Sequence, residues 1–206
     1  MITALSAEIA ATAASLVVEE GMEYAAAKRK AARALTHGGL RAGGLPSNEA
    51  VEDEVRSYLA LFCADTQPAE LRALRQLALH WMERLQAYRP HVGGPVWRGT
   101  ATRLSSVHLD LYCDDAKALE IELINRGIDY DSSLDPASRR SARGEPTSLL
   151  SLAAPCPALG ETLTLHLAVR DLDDLRGALQ RDSAGRSWRG DIAALRRLLD
   201  PEAAAA

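Results

Sequence analysis

The chain of 206 residues has the length of one domain, or of a small domain with a helical annex. Hydrophobic residues make up 47% of the sequence and charged residues 25%, which argues against a disordered or collagen-like chain. The formal net charge of −4 excludes the broadly basic surface that binds nucleic acid through its phosphates. We therefore expect no nucleic-acid partner.

The cysteines and the hydropathy pattern predict a cytoplasmic protein. Cys63, Cys113 and Cys156 are odd in number and lack CxxC spacing, so they cannot form a disulfide framework. The N-terminus has no early Lys or Arg, unlike a secretory signal peptide. Because no run of eighteen apolar residues occurs, we expect no membrane partner. The sequence leaves the oligomeric state open.

Residues 1–90 have helical periodicity throughout and predict an all-α N-terminal domain or layer. The predicted helices run from Leu5 to Gly21, over about 22–36, from a cap at Ser47 or Asn48, and over about 65–88. The fourth helix carries an apolar stripe from Leu71 to Tyr88. Such a stripe is the normal packing face of a helix, and we expect it to pack against the earlier helices.

After Pro90 the hydrophobic period changes, and residues 91–200 predict an α+β domain with a mixed sheet. Strict alternation over 106–112 and 162–169 predicts two strands that are polar on one face and apolar on the other. Shorter strands are predicted near 94–97, 128–131 and 148–153, helices near 115–126, 172–180 and 190–199, an exposed loop over 132–147, and a tail over 201–206.

The two alternating strands place their polar residues on one face. Ser106, His108 and Asp110 alternate with leucines on the first strand, and Thr164 and His166 do so on the second. If the strands are neighbours, these side chains lie together. Several common functional motifs are absent: the Walker phosphate loop, the dinucleotide fingerprint GxGxxG, HExxH and GxSxG. These absences argue against an ATP-dependent ligase that uses a Gly-Lys-Thr/Ser loop.

One segment resembles a known family. Gly-Pro-Val-Trp-Arg-Gly at 94–99, a short spacer and Ser-Ser-Val-His-Leu at 105–109 resemble the Gly-Ser-x-Ala-Arg-Gly and Ser-Asp-x-Asp-Leu signature of the polymerase-β-like nucleotidyltransferases. The resemblance covers about 94–131 and, loosely, the strand at 162–169. It implies a mixed sheet with flanking helices and a glycine turn that holds a nucleotide. The nucleotide-binding residues it implies are Gly94, Arg98, Gly99, Thr100, Arg103, Ser105 and Ser106.

The sequence departs from that signature where the family holds its metal ions. Ser106 and His108 replace the two aspartates, His166 replaces the third carboxylate, and Pro95 replaces a serine. Mg²⁺ prefers carboxylate oxygens, so a conventional two-magnesium site is not expected. The resemblance therefore implies a degenerate active site.

Three interpretations of His108, Asp110 and His166 stay open. Two imidazoles and a carboxylate suit Zn²⁺, Mn²⁺ or Fe²⁺, so the three residues form a candidate catalytic and divalent-metal site. They are alternatively hydrogen-bonded polar residues of a former active site. One histidine could also serve in acid–base chemistry near neutral pH.

Three functions follow from these interpretations. The first is a nucleotidyltransferase-fold module that binds a nucleotide or a partner through the degenerate site. The second is an active nucleotidyl or phosphoryl transferase with a non-standard metal set. The third is a structural, helical interaction protein whose sheet has no separate role.

Overall fold

The structure, a computed structural model, describes residues 4–36, 44–134, 147–177, 181–182 and 185–200. Its helices and six-stranded mixed sheet give the α+β architecture that the sequence predicts. The chain forms two compact units, the first comprising Met1–Glu70 with Thr102–Leu104 and the second Leu71–Ala101 with Ser105–Ala206. The sequence placed this division near residue 90.

The helices and strands of the described residues are bounded as follows. The helices are α1 (Ala4–Glu20), α2 (Tyr24–Thr36), α3 (Asn48–Phe62), α4 (Gln67–Arg84), α5 (Gly94–Arg98), α6 (Ala116–Asn125) and α7 (Ile192–Leu199). The strands are β1 (His91–Gly93), β2 (Val107–Tyr112), β3 (Asp131–Leu134), β4 (Ser148–Cys156), β5 (Glu161–Arg170) and β6 (Arg189–Gly190). Short 3₁₀ helices cover Gln86–Tyr88 and Leu172–Gly177.

The first unit is helical and has a core of small side chains. Ala10, Ala13 and Ala14 of α1 are buried together with Ala27 and Ala31 of α2. Valines and a leucine of α3 complete the same core. The third helix begins as the sequence predicts, since Ser47 accepts a hydrogen bond from the backbone N–H of Ala50 at 3.1 Å.

The second unit is built on the six-stranded sheet. The strand order is β3-β4-β5-β2-β1-β6. The central pair, β5 and β2, is parallel, whereas the other neighbours are antiparallel. The two strands predicted from their alternating pattern are therefore direct neighbours in the middle of the sheet.

The apolar face of this sheet forms the core of the second unit. Leu109 of β2 and Leu165 of β5 are buried in one cluster with Leu74 of α4, Leu119 of α6 and Leu195 of α7. The apolar stripe of α4 thus lies in the sheet core, and the expectation that it packs against the earlier helices is wrong. An apolar stripe has the same residue types whether it packs on helices or on a sheet. The helical periodicity alone therefore could not distinguish the two packing surfaces.

On the opposite face, one polar row crosses all six strands. Its members, each directly paired with the next across the sheet, are Asp131, Ser151, His166, His108, Gly93 and Arg189. Directly paired residues point to the same side of a sheet, so these six form one continuous line, here called the cross-strand row. At about 4.8 Å per strand, its five steps span roughly 24 Å.

Several local predictions differ from the structure. The segment near 94–97 is the helix α5 and not a strand, because Gly93 caps it and Pro95 occupies its first turn. Of the loop predicted over 132–147, residues 132–134 belong to β3, and 135–146 lie outside the described residues. The helix predicted over 172–180 is a 3₁₀ helix to residue 177, and 178–180 and the tail at 201–206 also lie outside.

Within the described part of the chain, none of the helices is both long enough and apolar enough to span a bilayer.

Replacing a core leucine of the sheet tests this packing. Leu165 is fully buried, and Leu165→Ala should lower the free energy of unfolding by about 2–5 kcal/mol through lost burial and the cavity left behind. Tryptophan fluorescence during urea unfolding reports on the second unit, which contains Trp81, Trp97 and Trp188. Thr164→Val, at an exposed position beside it, should change stability by less than about 0.5 kcal/mol. Equal effects of the two substitutions would contradict the assigned faces.

Candidate functional site

Two histidines face each other at the centre of the cross-strand row. His108 of β2 is paired with His166 of β5, and their ring centroids lie 4.9 Å apart with the planes inclined by 30°. Both side chains are half-buried. The parallel pairing of β2 and β5 thus brings together two residues that are 58 positions apart in sequence.

A glycine turn lies beside this histidine pair. Gly93 ends β1, and Gly94 begins α5 with φ +61°, a conformation that favours glycine. A Cβ added at Gly94 would lie 3.4 Å from the His108 ring, and one added at Gly93 would lie 3.6 Å from Cγ of Arg189. Because Gly93 and Gly94 have no side chains, the backbone of the turn lies close to the His108 ring and to the Arg189 side chain.

Asp110, two residues beyond His108, is held by two arginines. Nε of Arg170 donates to its Oδ1, and Nε of Arg189 donates to its Oδ2. The Asp110 side chain is 10% exposed, whereas the side chains of Arg170 and Arg189 are 18% and 29% exposed. Two guanidinium groups therefore bind the two oxygens of one carboxylate at this end of the polar face, called the cationic end.

The predicted three-residue metal set is not assembled. Both carboxylate oxygens of Asp110 accept from guanidinium groups, and these cations would oppose a metal ion at the same place. Across the described ranges, no group of three His, Cys, Asp or Glu side chains is arranged to hold a metal ion. His108 and His166 meet, but Asp110 belongs to an ion-pair cluster.

A serine extends the polar contacts from His166 onto the next strand. Ser151 of β4 is paired with His166, and its Oγ lies 2.8 Å from Nδ1 of the imidazole. The tautomer of the ring decides which atom donates. Both residues lie within long strands, so their relative position is fixed by the sheet.

A groove of about 380 Å³ opens beside Ser151. Its walls come from the start of β3, the middle of β4 and the start of β5. The residues that line it are Asp129, Tyr130, Asp131, Ser151, Leu152, Ala153, Thr162, Leu163 and Thr164. The lining is hydroxyl-rich and carries two carboxylates, in contrast to the arginines at the other end of the polar face.

Arg98, one of the predicted nucleotide-binding residues, has a bracing role. Its side chain is 4% exposed, forms an ion pair with Asp182 at 2.7 Å and lies over the ring of Trp188 at 4.6 Å. It also donates to the carbonyl of Ser187 at 3.2 Å. These contacts attach α5 to the segment before β6 and engage the guanidinium group.

The other predicted nucleotide-binding residues are dispersed. Gly94 lies beside His108, whereas Gly99 ends α5 in a left-handed conformation and Thr100 is buried. Ser105 and Ser106 are half-buried ahead of β2. Arg103 belongs to the first unit, where its backbone N–H donates to Glu70 at 3.0 Å.

Sequence reasoning missed three residues of this face. Arg170 continues the same period-two pattern as Thr164 and His166, so extending that strand by one residue would have found it. Ser151 alternates with Leu150 and Leu152 and was open to the same argument. Arg189 lies on a two-residue strand, which is too short for any periodicity to reveal.

The surroundings of Cys113 disfavour its thiolate form. Burial, and then the negative charge of Asp115, raises the pKa of this thiol. A raised pKa reduces the thiolate fraction at neutral pH, so Cys113 is poorly suited to act as a nucleophile.

Comparison with protein-family models, with curated proteins and with solved structures finds no match to this chain.

The Asp182 ion pairs generate a pH-dependent prediction. Burial raises the pKa of Asp182, but hydrogen bonds from Arg98 and Arg186 outweigh it and lower the pKa from 3.8 to about 2. A depressed pKa stabilises the folded state above the unfolded value, and this contribution is lost as the pH falls towards 2. Asp182→Asn should therefore destabilise the second unit at pH 7, and its difference from wild type should shrink below about pH 4.

Urea unfolding of both proteins at several pH values, followed by tryptophan fluorescence, measures this difference. The control is Glu83→Gln, which removes an exposed ion pair with Arg196 and should have little effect at any pH. A constant difference between Asp182→Asn and wild type from pH 7 to pH 3 would argue against the ion pairs as its cause.

Proposed function

We propose that the second unit is a nucleotidyltransferase-like module that binds a nucleotide on the polar face of its sheet without two-metal catalysis. The observation that carries the proposal is the cross-strand row, which places a histidine pair and a glycine turn between a cationic end and a hydroxyl-lined groove. Free cysteines accord with the cytoplasmic setting that we propose for it.

The cationic end suits a phosphate group. Arg170 and Arg189 bring two guanidinium groups to this end, and both side chains are partly exposed to solvent. Guanidinium groups hydrogen-bond phosphate oxygens in a fixed planar geometry, and imidazoles such as His108 provide a further N–H donor. The absence of a side chain at Gly93 and Gly94 allows an anion to approach the turn closely.

The groove at the opposite end suits the sugar and base of the same ligand. Thr162 and Thr164 offer hydroxyl groups, and Asp131 offers a carboxylate that accepts from ribose hydroxyls. Thr164 and Arg170 are six residues apart on β5, about 20 Å at 3.3 Å per residue. That length accommodates an extended nucleoside di- or triphosphate.

The donor set favours binding over metal-assisted transfer. The polymerase-β-like family that this segment resembles has paired carboxylates where this chain has Ser106 and His108. Asp110, the nearby carboxylate, accepts hydrogen bonds from two arginines. These groups supply hydrogen-bond donors to an anion and few oxygen ligands to Mg²⁺. Nucleotide affinity should therefore not depend on added Mg²⁺.

Calorimetric titration with ATP, ADP and the other ribonucleoside triphosphates, with and without Mg²⁺, tests the proposal. We expect binding without metal, and Arg189→Gln should weaken it about 10- to 100-fold through loss of a charged hydrogen bond. The matched control is Arg196→Gln, on α7, which should leave the affinity unchanged. Absence of binding to every nucleotide by the wild-type protein, or equal affinities of the wild type and Arg189→Gln, would refute the proposal.

A further inference from the structure

We propose that Ser151 is a nucleophile activated by His166, and that the groove beside it takes carboxylic esters. The hydroxyl Oγ lies 2.8 Å from Nδ1 of the imidazole, within the range of a nucleophile–base hydrogen bond. This pair does not depend on nucleotide binding at the arginine end of the polar face.

The sheet holds the serine and the base in a fixed relation. Ser151 and His166 are directly paired in the middle of β4 and β5, antiparallel strands of 9 and 10 residues. Catalytic groups on such strands are positioned more accurately than groups on loops. On its other side, the His166 ring contacts His108 at 4.9 Å between centroids, which restricts rotation of the base.

The groove defines the class of ester. Ser151 is half-buried and forms part of its wall, so a ligand in the groove reaches the hydroxyl. Among the described residues that line the groove, Asp129 and Asp131 are carboxylates, and none is an arginine, lysine or histidine. An uncharged or cationic ester fits this surface, whereas an anionic ester would be repelled.

The reaction conserves atoms and charge. Oγ of Ser151 attacks the ester carbonyl carbon while Nδ1 of His166 takes the hydroxyl proton. The bond from the carbonyl carbon to the leaving oxygen then breaks, and the imidazolium returns the proton to the departing alcohol. Water attacks the acyl-serine by the same route, which releases a carboxylic acid and restores the serine.

Acylation by p-nitrophenyl acetate, an uncharged ester, tests the pair on the full-length protein. Release of nitrophenol and peptide mass spectrometry together give the rate and the residue modified. We expect Ser151 to be acetylated at least about 100-fold faster than other serines, since general-base catalysis contributes about 10²–10⁴-fold. Ser151→Ala should abolish the fast phase.

Two further variants separate catalysis from folding. His166→Ala should slow acetylation of Ser151 about 100-fold, and imidazole added to the buffer should restore part of the rate. His166→Gln serves instead if circular dichroism shows that the alanine variant is unfolded. Ser133→Ala, which removes an exposed serine on neighbouring β3, should leave the rate unchanged.

Two results would overturn the proposal. One is acetylation of Ser151 in the wild-type protein no faster than that of Ser133. The other is a folded His166 variant that reacts at the wild-type rate.

Discussion

The parallel pairing of β2 with β5 positions every residue of the candidate site. Its register sets His108 opposite His166, and the antiparallel neighbours on either side then add Ser151 and Gly93 to the same line. A shift of one residue would turn these polar side chains into the core and the leucines to solvent. The buried leucines of both strands therefore fix the register that the polar face requires.

The two ends of that polar face differ in charge because different residues lie on either side of the histidine pair. Arg170 and Arg189 gather around a buried carboxylate at one end, and acidic and hydroxyl side chains line the groove at the other. A ligand with an anionic and a hydroxylated end matches this arrangement along its length. The reactive serine proposed at Ser151 uses the groove that the nucleotide proposal assigns to the sugar and base. The two proposals are nevertheless tested separately, because acetylation of Ser151 is measured without nucleotide.

Much of the fold follows from periodicity, because each predicted strand and helix must bury one face. The alternation around His108 and His166 predicts both central strands, and the cap at Ser47 and the helix end at Gly21 agree with the bounds of α3 and α1. The strand predicted near 94–97 is the helix α5, because a five-residue helix is too short to show a helical period. Packing of α4 on the sheet depends on tertiary contacts that a helical stripe cannot specify.

The site was less accessible to sequence reasoning than the fold. The two histidines could be predicted to lie on the same face of the sheet, because each occupies a polar position in a strand of alternating polar and apolar residues. The engagement of Asp110 by two arginines could not, because Arg189 lies 79 residues away on a strand of two residues. Arg98 has the residue type expected of a phosphate ligand, yet its partner Asp182 and the ring of Trp188 become apparent only in three dimensions.

Nuclear Overhauser effects across the sheet provide the most direct measurement of this central pairing. In isotopically labelled protein, the account predicts contacts between backbone protons of β2 and β5 in the parallel register that sets His108 beside His166. Contacts that place these strands in another register, or that give each strand a different neighbour, would contradict it.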